Sequence, residues 1–232
     1  MAFEVQRTLR GYRMKENGCV LSEILSEPGP TNSVFDFLAA AVAEFSPGHE
    51  LGLLGFAGGG MIAPLRKAGS DLEVHSVDLD LRGYELFRKV SSAWSGSVCF
   101  TQADALAWLQ QRRAQFDAVI EDLSIPVPGD VEKPEICWQG LPPLTRQSLK
   151  PGGLLVVNML KSAGMNWGQF TPLFAKGYAD RFVVHLAEFE NRILIAGNLN
   201  VSAATVSRRL RKCLRTIGSD QAEQFRVSTY KE

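Results

Sequence analysis

The stretch LGLLGFAGGGMIAPL, residues 51–65, decides how this chain is read. An aliphatic run enters the cluster Gly55-Phe56-Ala57-Gly58-Gly59-Gly60, and a helix-like segment leaves it. Small residues between a strand and a helix let the backbone approach a ligand at the helix N-terminus, where free N–H groups and the helix dipole meet it. Neither of the two familiar phosphate loops fits. The dinucleotide fingerprint GxGxxG needs glycine at 55, 57 and 60, and Ala57 breaks it. The pattern GxxxxGK(S/T) fails as well, because no lysine follows the cluster.

Downstream, short aliphatic runs alternate with helix-like segments, the pattern of a parallel sheet covered on both faces. LGLLGF (51–56), LEVHSVDLD (72–80), SVCFTQAD (97–104), FDAVIEDL (116–123) and LLVVNML (154–160) read as strands. Helices are expected over MIAPLRKAG, RGYELFRKV, ALAWLQQRR, from about Trp138 to Leu149, and from Gly168 to Gly177. RFVVHLAEF and NRILIAGNL are separated by little more than Glu190 and suit an antiparallel hairpin, which sets this sheet apart from the doubly repeated dinucleotide fold. SAATVSRRLRKCLRTIG then forms an amphipathic helix, with Arg208, Arg209, Arg211, Lys212 and Arg215 read as a solvated face.

Two carboxylates strengthen a nucleoside reading of the glycine cluster. Asp78 ends the second strand, where an acid accepts ribose hydroxyls. Asp104 closes the third strand in the same way, though taken alone it is equally well a helix N-cap. Gly55, Asp78 and Asp104 thus fall on successive strand ends along one edge of the sheet. The proline-rich segment SIPVPGDVEKPE (124–135) follows the fourth strand, where loops of open sheets meet ligands.

Composition narrows the class. The chain has 232 residues, 45% hydrophobic and 22% charged, with 25 basic and 25 acidic side chains, so it lacks the cationic excess of a general nucleic-acid binder. No membrane span or signal sequence is visible, which points to a cytoplasmic protein. Cys19, Cys99, Cys137 and Cys213 lie far apart and support neither a zinc site nor a redox pair. His49, His75 and His185 have no evident nucleophile beside them, and GxSxG is absent, so no hydrolase triad and no metal site is expected. Trp138 and Trp167 stand near the strand ends, as pocket walls or, more commonly for such residues, as packing.

LGLLGFAGGG, VDLD, QADA, FDAVIEDL and LKPGGLLVVNM, in this order and spacing, resemble the class I S-adenosylmethionine-dependent methyltransferase superfamily, in its spermidine-synthase-like branch. The likeness covers about residues 31–198. It implies an α/β Rossmann-like fold, a seven-stranded mostly parallel sheet ending in an antiparallel hairpin, over residues 31–232. Residues 1–30 form an N-terminal extension, at most a small β hairpin. By resemblance, Gly55, Ala57, Gly58 and Gly59 lie against the aminoacyl and sugar parts of S-adenosylmethionine or its decarboxylated form, with Phe56 inside the same loop. Asp78 takes the ribose, Leu79 packs on the adenine, and Asp104 with Ala105 marks the adenine amino group. Asp122, with Leu123 beside it, matches the first Asp of a DSSDP-type loop, the proton acceptor of aminopropyltransferases. Ala57 is expected to be tolerated because it is small and its position does not require positive φ. Glu121 points to the opposite face by strand alternation and receives no role.

Where the second Asp of that loop stands in a synthase, this chain has Ile125, so one counter-charge for a polyamine is missing. A transferase that methylates a small-molecule acceptor is therefore the first expectation, with an aminopropyltransferase second and a nucleoside-binding module without catalysis third. The resemblance makes a homodimer one candidate assembly, since dimers are common in that family, while no exposed apolar stripe in the sequence selects an oligomeric state; no nucleic-acid or membrane partner is expected.

Overall fold

The computed structural model describes residues 3–160 and 164–231. Strands β1 (Phe3–Thr8), β2 (Gly11–Glu16) and β3 (Cys19–Leu25) form a three-stranded antiparallel sheet, one strand more than the N-terminal hairpin suggested by the sequence. The third strand arises because Asn17 and Gly18, both at positive φ, turn β2 directly back into β3. Helix α1 (Val34–Phe45) follows, capped by Ser33, and its apolar face Phe37, Leu38, Ala41 and Val42 is buried.

The main body alternates strand and helix. β4 (Glu50–Leu54), α2 (Ile62–Lys67), β5 (Glu73–Asp78), α3 (Arg82–Ser91), β6 (Val98–Gln102), α4 (Ala105–Gln110) and β7 (Phe116–Glu121) come in sequence. The proline-rich segment forms a small hairpin, β8 (Ile125–Val127) and β9 (Asp130–Glu132). Where one helix is expected from Trp138 to Leu149, Gly140 separates α5 (Ile136–Gln139) from α6 (Leu141–Ser148), as glycine followed closely by prolines at 142 and 143 would dictate. β10 (Leu149–Met159), α7 (Trp167–Ala175), β11 (Asp180–Leu186), β12 (Arg192–Gly197), α8 (Ala203–Ile217) and β13 (Phe225–Thr229) complete the chain.

The large sheet has the order β13-β11-β12-β10-β7-β4-β5-β6. β10, β7, β4, β5 and β6 run parallel, and β12, β11 and β13 add antiparallel pairs. It is thus eight-stranded where seven strands were expected. β13 is the addition: FRVST is a short run with polar residues at alternate positions, and a single short run of that kind carries little signal. One face of the sheet packs on α1 and α8 through Phe37, Leu38, Leu210 and Leu214, the other around Trp108, Leu141, Phe170 and Phe174. Along α8, Val206, Leu210, Cys213, Leu214 and Ile217 are buried at helical spacing. Its basic face is partly pinned rather than wholly solvated: Arg209 donates to Glu44 of α1 at 2.9 Å, and Arg211 and Arg215 share Glu223. No described helix is long and apolar enough to cross a membrane.

Strand order reverses between β4 and β7. From β4 the chain runs outward through β5 and β6, then returns to β7 on the other side and continues to β10. The carboxyl ends of the strands flanking such a switch point diverge into a crevice. Gly55 and Asp122 stand at those two ends.

Candidate functional site

A cavity of 630 Å³ occupies that crevice, roofed by the N-terminal sheet and the β8–β9 hairpin. Of the residues carried over from the resemblance, Gly55, Phe56, Ala57, Asp78, Leu79, Asp104, Ala105, Asp122 and Leu123 all line it. Gly58 and Gly59 do not. A Cβ on Gly58 would meet the Met14 sulfur at 2.7 Å, and one on Gly59 would meet the Phe56 ring at 2.6 Å. These two glycines make room for side chains of the N-terminal sheet and the aromatic core, not for a ligand.

The loop after β4 is held tightly. Gly55 has φ +86, and a Cβ there would lie 2.6 Å from the Asp122 carbonyl oxygen, so the two strand ends touch backbone to backbone. Ala57 also has positive φ, +45, contrary to the expectation that its position avoids that region. The conformation costs an alanine energy and persists because neighbours fix it. One neighbour is Asp78, whose Oδ2 accepts the backbone N–H groups of Phe56 and Ala57 at 2.8 Å each, while Oδ1 accepts that of Asp80 at 3.1 Å. Gly83 of α3 is the other. Its Cα comes so close that a Cβ would lie 1.7 Å from the Ala57 carbonyl oxygen. The Phe56 side chain points away from the cavity, edge-on to Tyr84, Phe87 and Phe100.

Leu79, directly after β5, leaves 70% of its surface exposed within the cavity lining, an apolar platform with nothing packed on it. Asp104 accepts the Ala107 N–H at 3.0 Å through Oδ1 and is the N-cap of α4, so the capping alternative describes one of its oxygens. Asp104 nonetheless lines the cavity wall. Trp138 and Trp167 are not in the wall: Trp138 packs edge-on to Phe170, and Arg192 lies over the Trp167 ring at 5.0 Å.

Asp122 sits at the bottom of the cavity. Asn158 of β10 donates to its Oδ1 at 2.7 Å, and Asn191 donates in turn to Asn158 Oδ1 at 2.9 Å. Burial raises the Asp122 carboxyl to about 6; the Lys133 ammonium and the Asn158 bond pull it down, and the charges of Glu121 and Asp78 push it up. A carboxyl in that range is mostly ionised at neutral pH yet takes a proton readily. Asn158 and Asn191 escaped the sequence reading. The one available sign was a polar residue inside the aliphatic run LLVVNML, at the end of a central strand.

Glu121 does face away from the cavity, but it is not idle. Its side chain is fully buried against Lys133, whose Nζ donates to both carboxylate oxygens at 2.8 Å. Of the four cysteines, Cys137 and Cys213 are buried and all are free thiols. At the opposite end of the sheet Glu50, Glu73 and His75 bring ligand-type atoms within 4.8 Å of one another, with His75 Nε2 at 2.7 Å from Glu50. That cluster has no part in the cavity.

No protein-family model and no curated protein sequence matches this chain. Solved structures do. A spermidine synthase from Thermotoga maritima superposes with a TM-score of 0.62 at 12% identity, over 90% of this chain and 83% of that one. A spermidine synthase in complex with the transition state analogue AdoDATO gives 0.63 at 11%, over 94% and 75%. Human methyltransferase-like protein 13 in complex with SAH gives 0.59 at 16%, over 79% and 90%. The fold is therefore that of the class I methyltransferases, in a form similar to spermidine synthase, as the motifs implied.

Proposed function

We propose that this chain is an S-adenosylmethionine-dependent methyltransferase acting on a small molecule, with Asp122 as the proton acceptor. The observation that supports it is the meeting, in one cavity at the switch point, of the Gly55 loop, the Leu79 platform, Asp78, Asp104 and a carboxyl raised to about 6. These groups suit the parts of the cofactor: an apolar side chain under the adenine, carboxylates for ribose hydroxyls and the adenine amino group, and small residues beside the sulfonium. Structures of the same fold carry SAH in one case and AdoDATO in another, in keeping with a nucleoside sulfonium here. When bound, the donor supplies a methyl carbon on a positive sulfur, open to in-line attack. The chain aligns donor and acceptor, and Asp122 takes the proton that the attacking atom sheds. Ile125 in the wall, 45% exposed, favours an acceptor with an apolar portion.

A second reading has one observation in its favour. Glu16, Glu23, Asp78, Asp80, Asp104 and Asp122 line the cavity, against Arg13 alone among the cations of the described residues, and Arg13 is paired with Glu23. Such a field suits a cationic acceptor and a donor without a carboxylate, as in aminopropyl transfer. Calorimetric titration with S-adenosylmethionine and with its decarboxylated form separates the two. Tighter binding of S-adenosylmethionine, weakened in Leu79→Ser, supports methyl transfer; preference for the decarboxylated donor supports the second reading. Binding of neither overturns both.

A further inference from the structure

The β8–β9 hairpin that roofs the cavity has no core of its own. None of the six residues in its two strands is buried, although Ile125, Pro126 and Val131 face the cavity. Apolar burial therefore does little to fix it, and a hairpin of this size is marginal by itself. What lies at its root is unlike the rest of the loop. Lys133, one residue beyond β9, and Glu121, the last residue of β7, form an ion pair with both side chains fully buried. The same Glu121 Oε1 that binds Lys133 also accepts the Leu123 N–H at 3.0 Å and the Cys137 thiol at 3.4 Å. One carboxylate thus ties the backbone just after Asp122, the returning end of the hairpin and the start of α5. Burying two charges carries a desolvation cost that an apolar pair of the same volume avoids, so such a pair is better explained by the geometry it fixes than by stability.

We propose that Lys133 and Glu121 are positioning residues, whose buried pair anchors the hairpin over the cavity and sets the electrostatic surroundings of Asp122. The inference rests on the reading of Asp122 as the proton acceptor. Lys133 from the hairpin root, Glu121 on the same strand, Asp78 from β5 and the neutral Asn158 from β10 are the groups that act on Asp122. The two members of the pair act on it in opposite senses: the Lys133 cation favours the carboxylate and the Glu121 anion opposes it.

The test compares Lys133→Met, Glu121→Gln and the double variant in the protein without added ligand, by carboxyl-carbon NMR titration of Asp122 and amide hydrogen exchange over residues 123–132. Lys133→Met is expected to move the Asp122 titration up and Glu121→Gln to move it down, each by about one pH unit. Either single variant leaves one buried charge without its partner and risks unfolding. The double variant leaves neither, and its fold is checked by urea denaturation. In it the hairpin amides are expected to exchange about tenfold faster, with those of β7 and β10 unchanged. Hairpin exchange equal to the parent's in a folded double variant overturns the anchoring. Shifts of the same sign in both single variants, or none, overturn the electrostatic part. The Asp122 reading fails separately, through full turnover in Asp122→Asn, and that result would leave both measurements standing.

Discussion

The cavity has two walls made by different means. The wall at the ends of β4, β5 and β6 is backbone held by backbone: Gly55 against the Asp122 carbonyl, Gly83 against the Ala57 carbonyl, and the Asp78 carboxylate gripping two N–H groups of the loop. The facing wall, from the N-terminal sheet and the β8–β9 hairpin, presents side chains such as Val20 and Ile125, 47% and 45% exposed; the hairpin strands bury none of their residues, and β3 buries its inner positions Ser22, Ile24 and Leu25 while Val20 stays open. A wall of the first kind tolerates almost no added atom. The second kind changes its shape at little cost to the fold. Under the proposed function the difference matches what each would hold, a common cofactor on one side and a particular acceptor on the other.

The sharpest way to break this comparison is Gly83→Ala. With no room before the Ala57 carbonyl, the methyl group should destabilise the protein by about 3 kcal/mol in urea denaturation and abolish donor binding. A cost under about 1 kcal/mol would show that the first wall yields like the second. Asp122→Asn comes next. Because burial raises this carboxyl to about 6, above its ordinary value of 3.8, its ionisation opposes folding. The penalty is absent below the unfolded value and complete above the folded one. The variant should therefore be more stable than the parent by about 3 kcal/mol at pH 8, and no different well below pH 4. Turnover, present in the parent, should rise with pH through an acid limb near 6 and be lost in the variant.

Asn191→Ala should cost about 1 kcal/mol, and by leaving Asn158 less firmly held it should move the parent's acid limb upward. An unchanged limb would mean that Asn158 needs no support. The smallest effect belongs to the second wall. Val20→Ser should change stability by less than about 0.5 kcal/mol and leave donor affinity within about twofold, while altering which acceptors are used.

The first wall was also the one legible in the sequence. Short apolar runs, clearest in β4, alternate with helices there, and its acids sit where strands end, so pattern and position coincide at Gly55, Asp78 and Asp104. Even there the glycines were read too simply. Glycine signals that something lies close, but not whether it is a ligand or the Met14 and Phe56 side chains that fill the space beside Gly58 and Gly59. Ala57 at positive φ was hidden for the same reason, since the conformation is imposed by Asp78 and Gly83, more than twenty positions away. The second wall was nearly invisible. Lys133 sits among prolines and acids with nothing to mark it as buried, and its partner Glu121 looked idle because alternation tells only which way a side chain points. β13 likewise depends on β11 for its pairing and has no pattern of its own.

The chain of amides behind Asp122 has a consequence for the order in which the molecule assembles. Asn158 lies 36 residues beyond the aspartate, and Asn191 another 33 beyond that, on the turn leading into β12. Until β12 has docked against β10, nothing holds Asn191 beside Asn158, and the aspartate lacks its full set of partners. On the proposed function, a chain with only its parallel half and its glycine loop in place would have a site for a nucleoside but no finished proton acceptor. On that reading the proton acceptor is completed only by the antiparallel strands from the last third of the sequence.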